Sequence, residues 1–394
     1  MFDALKNLTE WESRWAFESG VVALWEQRIL GDSVTIAVID SGVNKVGLGD
    51  RVTWASDLTA DHDPADLLGH GTEMSELILR WAPLSKIASI KVIDKDGSVT
   101  REIAVRALEE CQTKRPNAIR LINMSIGIPR RFWIFRWCTY EKPCVLCARV
   151  NAAVDSGSIV VVAAGNRGPK TDTLTCPGMA IKAMAVGSIS DSTTETWLQL
   201  VKRKNTKVSS GTSISAARVT GGIALILSSF PEAEMDEIRD TLRRTGTRIG
   251  SDQDEAPREA HFYRAYKLMR HKRQGGVFDP ETAYQHWQKA AVLRNANRIS
   301  ECLVELEQAV KLAPTSHTFY SDLGAVYFES GHAADAFEAL RESIRLHWKS
   351  GPNHYNLGFV LERRGDHEQA EAEYAIAYSF GDRLPPRGAL IVSF

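Results

Sequence analysis

Two histidines lie in the first 250 residues, His62 and His70, so an imidazole base in that stretch must be one of them. His70 stands in Gly69-His70-Gly71-Thr72 ahead of a helical pattern, where glycine neighbours permit close backbone approach. A helix N-terminus disfavours imidazolium, which would keep this histidine neutral and basic near pH 7. His62 sits in the acidic turn Asp61-His62-Asp63-Pro64 and reads as a solvated loop residue. Asp40 closes the apolar run VTIAVID. Functional groups collect at the carboxyl ends of strands in open parallel sheets, although a lone Asp there is as readily a turn former. Ser213 follows the small residues Ser209 to Thr212 and leads into the apolar helix Val219–Leu227. Its backbone N–H would point at an anion forming on a bound carbonyl. Asn166 ends the run VVAAGN with an amide that can donate to the same anion. An imidazole, a carboxylate, a hydroxyl and two anion donors are groups that acyl transfer can use.

Those parts need a frame. Nearly continuous apolar runs at 34–40, 86–92, 118–124, 158–164 and 183–187 read as strands buried on both faces. Helical patterns at 72–81, 101–114 and 146–156 alternate with them. The alternation predicts an α/β domain over 33–250 with a doubly wound, mostly parallel sheet. Residues 1–32 read as an N-terminal amphipathic segment carrying Trp11, Trp15, Phe17 and Trp25. Residues 251–280 read as a linker, with a basic helix conceivable over 262–273.

Beyond residue 281 a 34-residue self-similarity replaces the strand signals. Leu323-Gly324 recurs as Leu357-Gly358, Gly331 as Gly365 and Ala336 as Ala370. An earlier copy places Cys302, Leu306 and Ala309 in its second helix but has Lys289-Ala290 in place of Leu-Gly. This period marks stacked helical hairpins, and the Leu-Gly pair with Tyr327 resembles the tetratricopeptide repeat. The expected all-α repeat domain spans about three copies over 281–384, followed by a tail at 385–394.

In chain order the reactive set is Asp, His, Asn and Ser. VIDSGV around Asp40, GHGTEMSEL around His70, INMSIG at 122–127, VVAAGNRG at 161–168 and GTSISAARVTG around Ser213 resemble, in that order, the motifs of the subtilisin-like serine proteases. IKVIDKDGS at 90–98 and a closing helix near 235–244 extend the resemblance over about residues 22–248. It implies peptide-bond hydrolysis with Ser213 as nucleophile and His70 moving its proton to the leaving amine. Asp40 would orient His70, and Asn166 with the Ser213 N–H would hold the oxyanion. Ser125, Ile126 and Gly127, and opposite them Gly97 and Ser98, would flank a cleft and pair with an extended protein substrate. The reaction requires no metal or cofactor, and no residue set identifies a structural calcium.

The chain also departs from that pattern. Ala217 and Arg218 stand where the family has Pro-His, and Glu73 and Glu76 where it often has His and Gly. The Asn166–Ser213 interval is short, with Asp191–Lys207 replacing a longer region. The Gly127–Ala152 interval is long and carries the aromatic, basic PRRFWIFRWCTYEKPCVLC. That insert reads as a lid, a docking surface, an activation loop or a packed aromatic cluster. Cys144-x-x-Cys147, with Cys138 and Cys176 nearby in sequence, can bind zinc, although only one CxxC pair is present. The other readings are buried thiols or a redox-sensitive pair.

The whole chain has 394 residues, 44% hydrophobic and 25% charged, with 48 basic and 49 acidic residues. These values exclude a disordered or fibrous chain, and they supply no basic excess for nucleic acid. No apolar run reaches membrane-span length, and the acids Asp3, Glu10 and Glu12 exclude a secretory signal, so a cytoplasmic location is expected. About 32 residues precede the first strand, too few for the inhibitory prodomain that the resemblance would bring. Restraint then falls to a narrow cleft, the insert or the repeats. Helical repeats present a groove for a protein partner, so residues 281–384 are expected to recruit a substrate, an activator or a sensor. A bacterial conflict or anti-phage effector would suit this architecture, though no residue points there. The alternative is a non-catalytic adaptor on a relict protease fold.

Overall fold

The computed structural model describes residues 10–113, 119–132, 135–167, 173–188, 211–248, 258–381, 384–385 and 387–393. The readings of Asp191–Lys207, Ser209, Ser210 and residues 251–257 lie outside these. The chain divides into two compact units, one containing Trp25–Asp240, the other Thr9–Leu24 with Thr241–Phe394.

The first unit is built on β1 (Thr35–Asp40), β2 (Val52–Asp57), β3 (Lys86–Lys91), β4 (Leu121–Met124), a two-residue hairpin of β5 (Arg131–Phe132) and β6 (Phe135–Arg136), β7 (Ile159–Ala163) and β8 (Met184–Val186). Six strands form one parallel sheet in the order β2-β3-β1-β4-β7-β8. Continuous apolar runs form β1, β4 and β7 because helices cover both faces. On one face, Ala37, Ile39, Ile122, Met124, Val160 and Val162 pack with Ala104, Leu108, Leu146 and Val150 of helices Arg101–Thr113 and Val145–Asp155. The alternate residues Ile36 and Val38 are equally buried. Helices His70–Trp81 and Thr212–Ser229 pack together and against β1 and β4. Strand β2 escaped the sequence reading. It is an edge strand with only Val52 buried, so VTWASD carries no continuous apolar run.

In this order β2 and β3 lie on one side of β1 and β4, β7 and β8 on the other, so the connections reverse direction at the β1–β4 boundary. Open α/β sheets place ligand sites in the crevice at such a switch point, beyond the carboxyl ends of the strands.

The second unit differs from the expected boundaries. Helix Glu10–Glu18 belongs to it, because Phe17 stacks on Trp348 at 4.3 Å and Glu18 pairs with Lys349 at 2.8 Å. Residues 262–273, read as linker, form a packed helix with Phe262, Tyr263, Leu268 and Met269 buried and Arg264 Nε donating to the Leu346 carbonyl at 2.6 Å. Three helical hairpins follow: Pro280–Asn295 with Ile299–Leu312, His317–Glu329 with Ala333–Leu346, and Gly351–Arg364 with His367–Ser379. Gly324 and Gly358 sit where their hairpins cross. A Cβ on Gly324 would lie 2.6 Å from Leu340 Cγ, and one on Gly358 3.0 Å from Tyr374 Cδ1. The first hairpin places the buried Ala290 where the others have Gly324 and Gly358, and the buried Cys302 where they have Ala336 and Ala370, which explains its fainter signature.

The tail at 387–393 runs along these hairpins. Asn356 grips both backbone groups of Ile391, donating from Nδ2 at 2.6 Å and accepting at Oδ1 at 2.7 Å. Asp322, at the same position one repeat earlier, accepts from the Ser393 N–H at 2.7 Å. Leu390 and Ile391 pack on the core around Tyr355 and Phe359.

Candidate active site

Asp40 ends β1 fully buried. Its Oδ1 accepts from the Ser41 N–H at 2.8 Å and lies 2.6 Å from His70 Nδ1, the length of a charge-assisted hydrogen bond. Oδ2 is buried without a hydrogen-bond partner among the described residues.

His70 is the first residue of its helix. A Cβ on Gly71 would lie 2.3 Å from the Gly42 carbonyl oxygen, so glycine is what lets this helix close on the turn after β1. The helix start is held by Asp66, a buried carboxylate that the sequence reading passed over. Its Oδ1 accepts from Ser41 Oγ and the N–H groups of Leu68 and Gly69, and its Oδ2 from the N–H and hydroxyl of Thr72, all within 2.7–3.1 Å. Ser41 Oγ in turn accepts from the Gly71 N–H at 2.9 Å. The signal was an acid four residues before the histidine, indistinguishable from the other acids of DHDPAD. Lys91, ending β3, supports the same loop from beneath. It pairs with Asp61 at 3.0 Å and donates to the carbonyls of Asp63 and Ala65. The Lys91 hydrogen bond holds the Asp61 carboxyl below its ordinary range.

Burial opposes a charge on His70, yet its pKa stands above the ordinary 6.5, because the Asp40 hydrogen bond and charge, with the charges of Glu73 and Asp66, outweigh that burial. The lowering expected from the helix N-terminus is therefore overturned. Three carboxylates exceed the half-charge of a helix end. The sign fixes the pH range in which this imidazole can act as a base. His70 accepts a proton only when neutral, so acylation of Ser213 should rise through a pH above 6.5. Glu73→Gln should move that midpoint lower. A rate–pH series with both proteins tests this, and an unmoved midpoint would show that Glu73 does not act on His70.

Ser213 occupies the first turn of helix Thr212–Ser229, as its sequence context predicts. Its hydroxyl donates to the Ser125 carbonyl at 3.2 Å, and Ser125 Oγ donates to the Ser213 carbonyl at 3.2 Å. Among the described residues it makes no hydrogen bond to His70. Behind it, Asn123 donates to Ser125 Oγ at 3.0 Å and accepts from Thr220 at 2.9 Å, a buried network that ties β4 to the serine's helix. Asn123 lay unnoticed inside INMSIG, since a buried strand amide has no local signature.

Asn166 Oδ1 accepts from the Thr212 N–H at 2.9 Å and the Thr212 hydroxyl at 3.1 Å. These two donors fix the oxygen end of the amide, so its NH2 end is the one that can serve an oxyanion. Gly211 makes this approach feasible. Its φ is +131°, and a Cβ there would lie 2.2 Å from Asn166 Oδ1. Asn166, Ser213, Ile126, Gly127 and Thr175 line one cavity of about 280 Å³. Gly97 and Ser98 do not line it. They are exposed in a turn where Asp94 engages both backbone groups of Ser98.

The Gly127–Ala152 insert adjoins this cavity's wall. Arg130 is buried and donates to the carbonyls of Leu174 and Cys138. Trp137 and Tyr140 stay exposed, so the insert is neither wholly packed nor wholly free. Residues 133–134 lie outside the described residues.

A family model described as the subtilase family matches residues 31–205 and 191–262. The chain belongs to the subtilase family. This subtilase is 29% identical over 259 residues to subtilisin of Bacillus pumilus, a match covering 58% of the chain and 89% of that protein. It is 28% identical to subtilisin NAT of Bacillus subtilis subsp. natto, covering 58% of the chain and 64% of that protein. Serine protease AprX of Bacillus subtilis strain 168 is 28% identical over 185 residues, covering 43% of the chain and 41% of that protein. The subtilase domain is thus one of serine peptidases, and no helix among the described residues is long and apolar enough to cross a membrane.

Proposed function

We propose that this protein is a cytosolic serine endopeptidase whose Ser213, His70 and Asp40 form a catalytic triad, with Asn166 and the Ser213 N–H as the oxyanion hole. The observation that carries this reading is the 2.6 Å contact between a fully buried Asp40 and His70, on the loop that Asp66 locks in place. His70 takes the Ser213 proton as the hydroxyl attacks the scissile carbonyl, then gives it to the leaving amine. Asp40 holds the tautomer with the proton on Nδ1, leaving Nε2 as base. Ile126 and Gly127 border the cavity beside Ser213, where the side chain before the scissile bond would enter. The six free cysteines fit a reducing compartment.

The helical hairpins would recruit a partner as an extended peptide, and the chain's own tail supports this. Asp322 and Asn356, one repeat apart, already hold backbone groups of residues 391 and 393. A partner would replace the tail on the same polar ladder.

Ser213 pointing at Ser125 rather than at His70 favours a second form of the reading, a gated site. One experiment separates the forms. Purified protein is treated with a fluorophosphonate probe, with Ser213→Ala as control. Labelling lost in the variant supports an active site that needs no help. Labelling that appears only in lysate supports a partner-activated protease, and silence in both supports the adaptor. In parallel, a fluorescent peptide of residues 385–394 is titrated onto chain truncated after 384. Binding that Asn356→Ala abolishes supports the recruiting groove, and no binding removes it.

A further inference from the structure

Four cysteines converge where the insert meets the cleft wall. The Sγ atoms of Cys138, Cys144, Cys147 and Cys176 lie within 4.8 Å of one another. Three of these side chains are fully buried, and Cys144 is partly so. They come from separate pieces of chain. Cys138 follows the β5–β6 hairpin, Cys144 is the N-cap of helix Val145–Asp155, Cys147 lies in its first turn, and Cys176 follows β7.

Three chemistries can gather thiols. Disulfides require sulfurs about 2.05 Å apart, whereas Cys144 and Cys176 stand at 3.6 Å and all four cysteines are free. Burial of thiols as small apolar groups gives no reason for four sulfurs to share one point. A tetrahedral metal does: Zn–S bonds of about 2.3 Å set sulfurs about 3.8 Å apart, which small rotations of these side chains reach. The donor set is all sulfur, which selects a soft cation over calcium or magnesium.

We propose that Cys138, Cys144, Cys147 and Cys176 bind one structural Zn²⁺ as a tetrathiolate. Binding forms four S–Zn bonds and releases four thiol protons. The resulting charge of −2 meets the buried Arg130, which donates to the Cys138 carbonyl, and the Cys144 N–H, which donates to Cys138 Sγ at 3.2 Å. Four protein ligands leave no open position, so the ion takes no part in chemistry. Its place explains its use. Cys176 and Ile128 exchange backbone hydrogen bonds at 2.8 and 2.9 Å. Ile128 follows Ile126 and Gly127, and Cys176 follows Thr175, three residues that line the cavity. The ion ties these lining segments and the base of the insert together.

The test is metal content of the full chain expressed with zinc, by inductively coupled plasma mass spectrometry, and the absorption spectrum after cobalt exchange. One zinc per chain, thiolate-to-cobalt charge-transfer bands, and loss of both in Cys147→Ser but not in Cys111→Ser are expected. Because Cys147→Ser can misfold, the unsubstituted protein decides the matter alone. Fully reduced, folded protein that takes up neither zinc nor cobalt overturns the proposal, as does a disulfide among these four cysteines found by mass spectrometry of freshly isolated protein.

Discussion

Asp40→Asn should slow acylation of Ser213 by an ester substrate about 10⁴-fold while leaving the fold in place. The Asp40 Oδ1 position is claimed by two donors, the Ser41 N–H and His70 Nδ1. If the asparagine keeps its oxygen there, both bonds survive, but the charge that stabilises imidazolium is gone. Its NH2 group then falls on the buried Oδ2 position, which has no partner among the described residues. A buried unsatisfied donor costs about 1–3 kcal/mol. If the amide turns over, its NH2 confronts the Ser41 N–H and forces the proton of His70 onto the wrong nitrogen. The first orientation weakens the base, and the second removes it. Acylation rates with circular dichroism check this, and a loss under tenfold in folded protein would mean that the Asp40 charge does not act through His70.

The second large effect is expected at Gly211. Asn166→Ala should lower the acylation rate by about 10²–10³, the magnitude typical of removing one oxyanion-hole donor, with little change in stability. Gly211→Ala should reproduce that loss without touching Asn166. The new Cβ would stand 2.2 Å from Asn166 Oδ1 and displace the amide from the Thr212 N–H. It should also destabilise the unit, because an L-residue at φ +131° costs on the order of 1–3 kcal/mol. Acylation rates and urea midpoints of the two variants side by side give the signature: equal loss of rate, with a lowered midpoint in Gly211→Ala alone. A normal rate in Gly211→Ala would detach Asn166 from the reaction.

Both effects depend on residues whose types were legible before any fold was known. Asp40, His70, Asn166 and Ser213 each sit at a strand end or helix start, and such junctions are local: an apolar run ends, a small residue follows, a helix begins. The sheet was legible for the same reason wherever burial on both faces left an unbroken apolar run, and β2 was not, being half open to solvent. The helical hairpins were legible because a 34-residue period reports contacts between near neighbours, down to Gly324 against Leu340.

What holds those residues in place was decided only by the tertiary structure. Asp66 looked like any other acid of its turn until five donors converged on it, three of them from Ser41 and Thr72. The direction of the His70 pKa depended on summing Asp40, Glu73 and Asp66 against burial, and no pattern along the chain contains distances. Asn123 and Thr220 lie far apart in sequence and 2.9 Å apart in space. The four cysteines showed one CxxC pair, and their convergence required Cys176 to return from beyond β7. Chemistry-bearing residue types and local periodicity are written along the chain. Charge balance, second-layer hydrogen bonds and ligand convergence are sums over distance, and only folding brings their terms together.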